Sequence, residues 1–229
     1  MMIFSRLLRL LPLILLALPN FAGAADDLAA RLLTLQEDWA RTNYEVPATE
    51  QNGAFERLTA DADALITANP DRAEPLVWKA IIESTHAGVI GGLGALGKVK
   101  DARDLLLRAE AIDQNTLEGS VYTSLGSLYY KVPGWPLGFG DKKQAETYLK
   151  KALEINPDGI DPNFFYGEFL YEQGRGDDAV KFLDKALAAK PRPGRPVADQ
   201  GRREEAASLL QKIEGKQVGV AASDRKAQL

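Results

Sequence analysis

The most constraining feature of this sequence is a spacing that occurs twice. Ala145, Leu149, Ala152 and Pro157 stand at offsets 0, +4, +7 and +12, and Ala179, Leu183, Ala186 and Pro191 repeat those offsets. A helix brings positions 0, +4 and +7 onto one face, so each set predicts a small–large–small stripe buried together. The proline beyond the last turn cannot continue the hydrogen-bond ladder and ends the helix. A second pattern precedes each stripe: Tyr122, Leu125-Gly126 and Tyr129 before the first, Tyr166-Gly167 and Leu170 before the second. Gly126 and Gly167 mark where a preceding helix crosses the alanines, at the short end of the usual spacing of about 8–10 Å. A third copy is legible upstream as Ala80, Ala102, Leu106 and Ala109, with Gln114 in place of the proline. No segment alternates apolar and polar residues as a strand does, so the fold class is all-α, built of antiparallel helix hairpins.

The copies differ in length at one place. Gly167 and Ala179 are 12 residues apart, Gly126 and Ala145 are 19 apart, and Ala80 and Ala102 are 22 apart. The additions fall in the turn between the two helices of a unit and predict inserted loops at 86–99 and 132–141. Equivalent turns of stacked hairpins emerge along one rim, and insertions there often form a binding face. The first stretch carries Val89, Ile90, Leu93 and Leu96 among its glycines, and the second carries Trp135, Leu137 and Phe139. Two readings stay open: the apolar side chains pack as a loop core of their own, or they meet a ligand or partner.

These residues resemble the tetratricopeptide repeat family, whose 34-residue unit is a pair of antiparallel helices. Its small, large, small and proline positions match Gly126, Ala145, Ala152 and Pro157, and again Gly167, Ala179, Ala186 and Pro191. The chain departs from the pattern at Asn163, where an aromatic residue is usual. The resemblance implies a right-handed α-solenoid of three to four hairpins with a C-terminal capping helix. It also places Thr123, Ser127, Tyr130 and Lys131, with Phe164, Glu168, Tyr171 and Glu172, on the concave face. An ordinary solvated helix face is the alternative for that surface. The function implied is a non-enzymatic, cofactor-free adaptor that binds another envelope protein or peptide through the groove and the apolar rim. The second reading is a carrier in which both Gly-rich loops fold over an apolar small molecule. Exported tetratricopeptide proteins that accompany tripartite solute transporters resemble it in architecture, without a shared motif.

The flanks divide the rest of the chain. Arg6 and Arg9 precede the apolar run Leu10–Leu18, and Ala22-Gly23-Ala24 follows, which is the composition of a cleaved secretory leader over residues 1–24. The apolar run is shorter than the roughly 20 residues a spanning helix needs, so no integral membrane segment is expected after cleavage. The product is expected to be exported, soluble and periplasmic. Loss of two arginines and no acid takes the formal charge from −4 to −6. Leu28, Leu32, Leu35 and Trp39 predict a helix over 26–43, and Ala62 and Leu65 face inward on 54–69, giving a degenerate hairpin within 25–72. The repeats occupy 73–193. Lys190 to Arg203 carries five basic residues and three prolines, read as a stiff solvated connector within 194–214 that leads into a capping helix from Gly201 to Glu214, with contact to an acidic partner or anionic lipid as the alternative. Residues 215–229 lack an apolar stripe and predict a frayed polar tail.

Composition excludes several chemistries. With no cysteine there is no disulfide framework, thiolate nucleophile or thiolate zinc site, and 28 basic against 32 acidic residues give no general nucleic-acid binder. The lone histidine, His86, stands beside Ser84 and Thr85 without a nucleophile elbow and is expected to cap a helix end or fill the loop. Gly92-Leu-Gly-Ala-Leu-Gly97 matches a dinucleotide fingerprint but lacks the preceding strand. Arg175-Gly176-Asp177 is explained by a short turn with Asp177 as N-cap.

Overall fold

The computed structural model describes the backbone of residues 21–227 and the side chains of residues 27–216. Residues 1–20, most of the expected leader, lie outside the described residues. Among the described residues the chain forms α1 (Phe21–Tyr44), α2 (Ala48–Ala68), α3 (Ala73–Ile90), α4 (Gly92–Ile112), α5 (Thr116–Lys131), α6 (Lys142–Ile155), α7 (Ile160–Glu172), α8 (Gly176–Ala188) and α9 (Pro196–Ala227), with no strand. None of these helices is long and apolar enough to cross a membrane. Helices pair in sequence as α1–α2, α3–α4, α5–α6 and α7–α8. Each first helix also touches the first helix of the next hairpin, whereas the second helices do not touch one another. That asymmetry makes the structure a solenoid with α1, α3, α5, α7 and α9 on its inner row.

The repeated spacing does what its geometry requires. Ala102, Leu106 and Ala109, then Ala145, Leu149 and Ala152, then Ala179, Leu183 and Ala186 are all fully buried. A Cβ on Gly126 would lie 2.6 Å from Cγ of Leu149, and one on Gly167 would lie 2.9 Å from Leu183. The glycine of the first helix therefore admits the leucine of the stripe, whereas the sequence set it against the alanines. Asn69, Asn156 and Ala189 close α2, α6 and α8, each just before a proline or one residue short of it.

The ten extra residues of the second hairpin are not a loop. α3 runs on to Ile90, Gly91 turns with φ +59°, and α4 begins at Gly92. The residues expected as the loop 86–99 instead lengthen both helices. Glycine costs a helix only about 1 kcal/mol relative to alanine. Here the cost is offset by packing: Ala87 and Val99 join the same core, and Lys98 Nζ donates to Glu83 across the hairpin at 2.7 Å. His86 consequently sits inside α3, buried, not at a loop mouth or helix end. Its ring stacks on Phe55 with centroids 5.6 Å apart, Nε2 contacts Asn52 Oδ1 at 2.8 Å, and Nδ1 has no hydrogen-bond partner among the described residues. At the last hairpin Gly174 supplies the positive φ and Arg175 is the N-cap, so Asp177 lies in the first turn and not at the cap.

One join departs from the repeat. Leu117, Glu118 and Gly119 adopt left-handed dihedrals, with φ of 49°, 55° and 78°, before regular helix resumes in α5. Two non-glycine residues there cost on the order of 1–3 kcal/mol each. Leu117 packs against two cores at once, and Asn156 Nδ2 donates to Glu118 Oε2 at 3.0 Å, which holds the turn from both sides.

Two outcomes follow for stability. Gly126→Ala should lower the unfolding free energy by about 1–3 kcal/mol in urea titrations, because Leu149 must be displaced. Gly88→Ala, which meets nothing within 4 Å, should be neutral or stabilising by up to about 1 kcal/mol. Burial, then Lys98, holds the His86 pKa below its usual value. The unfolded chain therefore binds the extra proton, and stability should fall as pH drops from about 7.5 to 5.5. His86→Gln should flatten that slope in the same titration.

Candidate functional site

The inner row is closed by the C-terminal segment. The basic run from Lys190, expected as a solvated connector, is instead a clamp. Arg192 donates from Nη1 to Asp161 Oδ2 at 2.5 Å and from Nε to Asp199 Oδ1 at 2.6 Å. Arg202 donates from Nε to Asp161 Oδ1 at 2.8 Å and from Nη1 to Glu205 Oε2 at 2.5 Å. Its guanidinium also lies 4.5 Å from the ring of Phe165 and 4.6 Å from that of Phe164 on α7. Arg195 stacks at 5.0 Å over Trp78 of α3. The physical reason for the difference is arithmetic within the segment: its arginines outnumber its own carboxylates, and Asp161 of α7 supplies the missing charge.

Electrostatics agree with the geometry. Burial by itself would raise the Asp161 carboxyl, but Arg192, Arg202 and Arg195 overcome it and hold Asp161 well below the usual carboxylate range. Burial beside Arg192 lowers Arg195 to about 10. Tyr44, at the end of α1, is pushed up to about 12, chiefly by desolvation.

α9 starts at Pro196, five residues before the expected capping helix, and its first turns reach α1. Ala198 shares a core with Leu28, Leu32, Trp39 and Trp78. A Cβ on Gly201 would lie 2.5 Å from the Tyr44 ring, so only glycine fits at that crossing. The helix continues to Ala227, past the point at which the sequence predicted a tail.

Between α1, α5, α7 and α9 an open cleft of about 480 Å³ remains. It is lined by the aromatic faces of Tyr44 and Phe164, the cations Lys131, Arg202 and Lys212, and the carboxylates Glu168, Glu204 and Glu205. Lys131 Nζ and Tyr130 Oη both donate to Glu168, at 2.9 and 2.5 Å. Burial, then Glu168, raises the Tyr130 phenol well above its usual value, so it stays a proton donor.

Of the eight residues the family pattern placed on the concave face, Lys131, Phe164 and Glu168 line this cleft. Thr123 and Tyr130 are buried beneath it, and Ser127 is half-buried. Tyr171 carries Lys216 of α9 at 4.4 Å, and Glu172 is exposed. The sequence reading missed Tyr44, Arg202, Glu204, Glu205, Ser208 and Lys212, which lie outside the repeats and carry no periodic signal. The basic excess of Lys190–Arg203 was the available clue.

Between α5 and α6 the segment 132–141 is a loop with its own backbone frame. Gly138 N and Leu137 N donate to Gly134 O, Gly140 N donates to Pro133 O, and Asp141 N donates to Tyr129 O at 2.8 Å. The Trp135–Pro136 peptide is cis. Phe139 turns inward, edge-on to Tyr129 at 5.4 Å and under Arg103 at 4.6 Å. Trp135 and Leu137 turn outward, 91% and 65% exposed. Packing and exposure thus divide between side chains of one loop.

Residues 137–196 match the family model of the tetratricopeptide repeat. Over those residues the chain carries the tetratricopeptide repeat. No curated protein matches it. Among solved structures, TTC0263, a thermophilic tetratricopeptide repeat protein from Thermus thermophilus, is 22% identical and superposes with a TM-score of 0.50. That match covers 77% of this chain and 91% of the other. MamA is 21% identical at a TM-score of 0.42, with 74% and 92% covered. YrrB, described as a tetratricopeptide repeat protein with an unusual peptide-binding site, is 18% identical at 0.41, with 92% and 98% covered. At these identities the likeness is one of fold. The tetratricopeptide hairpins fix the inner row, and the clamp at Asp161 is what turns that row into a cleft.

Asp161→Asn should lower stability by about 1–3 kcal/mol, since it removes one of the two carboxylates that serve each of two partly buried guanidinium groups. Limited proteolysis should then cut between α8 and α9 before the repeats. Because the Asp161 pKa is depressed in the folded protein, wild type should lose the same contribution as pH falls below about 4.

Proposed function

We propose that this chain is a non-enzymatic protein-interaction scaffold of the cell envelope, exported by its N-terminal leader. Its cleft between α1, α5, α7 and α9 holds an extended segment of a partner protein. The cleft itself carries the reading. Aromatic faces at Tyr44 and Phe164 alternate with charges of both signs at Lys131, Glu168, Arg202 and Glu204, which suits a peptide backbone with mixed polar side chains. The walls are helices pinned by ion pairs, so little ordering opposes association. The tetratricopeptide repeat match supports an interaction role, and the leader over residues 1–24 supports an envelope location. The carrier reading needs two loops able to fold over a small molecule, and the stretch 86–99 is helix, which leaves it one.

Ser208 is exposed on the α9 wall of the cleft. Ser208→Trp fills the space without disturbing the core. Affinity purification from the native compartment, with partner stoichiometry measured, should show the partner reduced at least tenfold for Ser208→Trp, a loss of about 1.4 kcal/mol or more. Full retention of the partner at an unchanged melting temperature would exclude the cleft as the site.

A further inference from the structure

A second surface lies on the edge where the turns within hairpins emerge. Among the described residues, five of the eight exposed large apolar side chains gather there: Val89, Ile90 and Leu93 at the α3–α4 tip, Trp135 and Leu137 in the α5–α6 loop. Leu93 is 84% exposed and Trp135 91%. The backbone bonds of the loop and the inward anchor at Phe139 hold Trp135 out, so its exposure is built and not slack.

The charge on this edge is opposite to that of the chain. No acid stands between Glu83 and Asp101, a stretch that holds Lys98 and Lys100, and Asp141 is followed by Lys142 and Lys143. Three nearby carboxylates are engaged, and Asp101 stands exposed beside Lys100. Glu83 accepts from Lys98 at 2.7 Å, Asp104 from Arg103 at 2.8 Å, and Asp141 from the amides of Lys143 and Gln144. Lys100, Lys142 and Lys143 remain exposed in a chain whose formal charge is −4. Protruding Trp and Leu ringed by lysine is the chemistry of a lipid–water interface: the indole seats at headgroup depth, and each lysine gains from anionic phosphate.

We propose that this edge docks on the surface of an anionic phospholipid bilayer. Trp135, Leu137 and Leu93 enter the headgroup region, and Lys100, Lys142 and Lys143 contact lipid phosphates. None of these six residues lines the cleft. The two readings stand independently.

Trp39 and Trp78 are buried, so acrylamide-accessible emission of the full chain reports Trp135. With vesicles of phosphatidylcholine containing about one third phosphatidylglycerol, that emission should shift to the blue and lose its quenching; with pure phosphatidylcholine it should not. Lys100→Glu/Lys142→Glu/Lys143→Glu should weaken vesicle partitioning by about tenfold or more. Trp135→Ala/Leu137→Ala should weaken it while leaving the circular-dichroism melt unchanged, and Ser208→Trp should bind vesicles as wild type does. Three results would overturn the proposal: vesicles bind while Trp135 stays fully quenchable, the lysine variant binds as wild type, or Trp135 is protected only by a protein partner. The first would place any membrane contact on another segment, such as the leader.

Discussion

The close approach of paired helices is the constraint on which the rest of the structure depends. Gly126 against Leu149 and Gly167 against Leu183 leave no room for a side chain on the first helix. Each stripe of Ala–Leu–Ala is fully buried as a result. Hairpins this thin stack with their first helices in contact, and that contact creates an inner row. The row gathers Lys131, Phe164 and Glu168 from two hairpins onto one wall. A single extra methylene at the crossing would splay the hairpin and spread those residues apart.

The second wall adds ion pairs to apolar packing. α9 packs Ala206, Leu209 and Ile213 into the core of the last hairpin, and its start is pinned by Arg192, Arg195 and Arg202. Asp161 serves two of them, and the rings of Trp78, Phe164 and Phe165 cover the cations. Desolvated guanidinium groups are tolerated because carboxylates and aromatic faces replace water around them. The cleft is therefore bounded by packing on one side and by packing reinforced with ion pairs on the other. Salt and acid act on the second far more than on the first.

What was legible in the sequence follows the same division. The offsets of Ala145, Leu149 and Ala152 report a buried helix face directly, because burial and periodicity are one physical fact. Helix ends at Asn69 and Asn156 were legible through the prolines that follow them. The stretch 86–99 was not, since glycine permits a turn without imposing one, and pairing between α3 and α4 decided the outcome. The clamp was hidden for a different reason. Arg202 and Asp161 are 41 positions apart, and charge carries no period that would reveal a distant partner. Of the expected concave residues, Lys131, Phe164 and Glu168 lie on the cleft wall, while Tyr44, Glu204 and Ser208 belong to helices with no repeat to index them.

The meeting of Tyr44 with Gly201 changes what kind of object the solenoid is. An open array of hairpins is a one-dimensional chain, its stability a sum of units and nearest-neighbour interfaces, and either end frays first. Here the first helix and the last are neighbours. Fraying at one end must release the other, so the array gains a contact that no local segment can form alone. Joining α1 to α9 closes a loop that spans every hairpin between them, so forming that contact carries the entropy cost of the whole intervening segment.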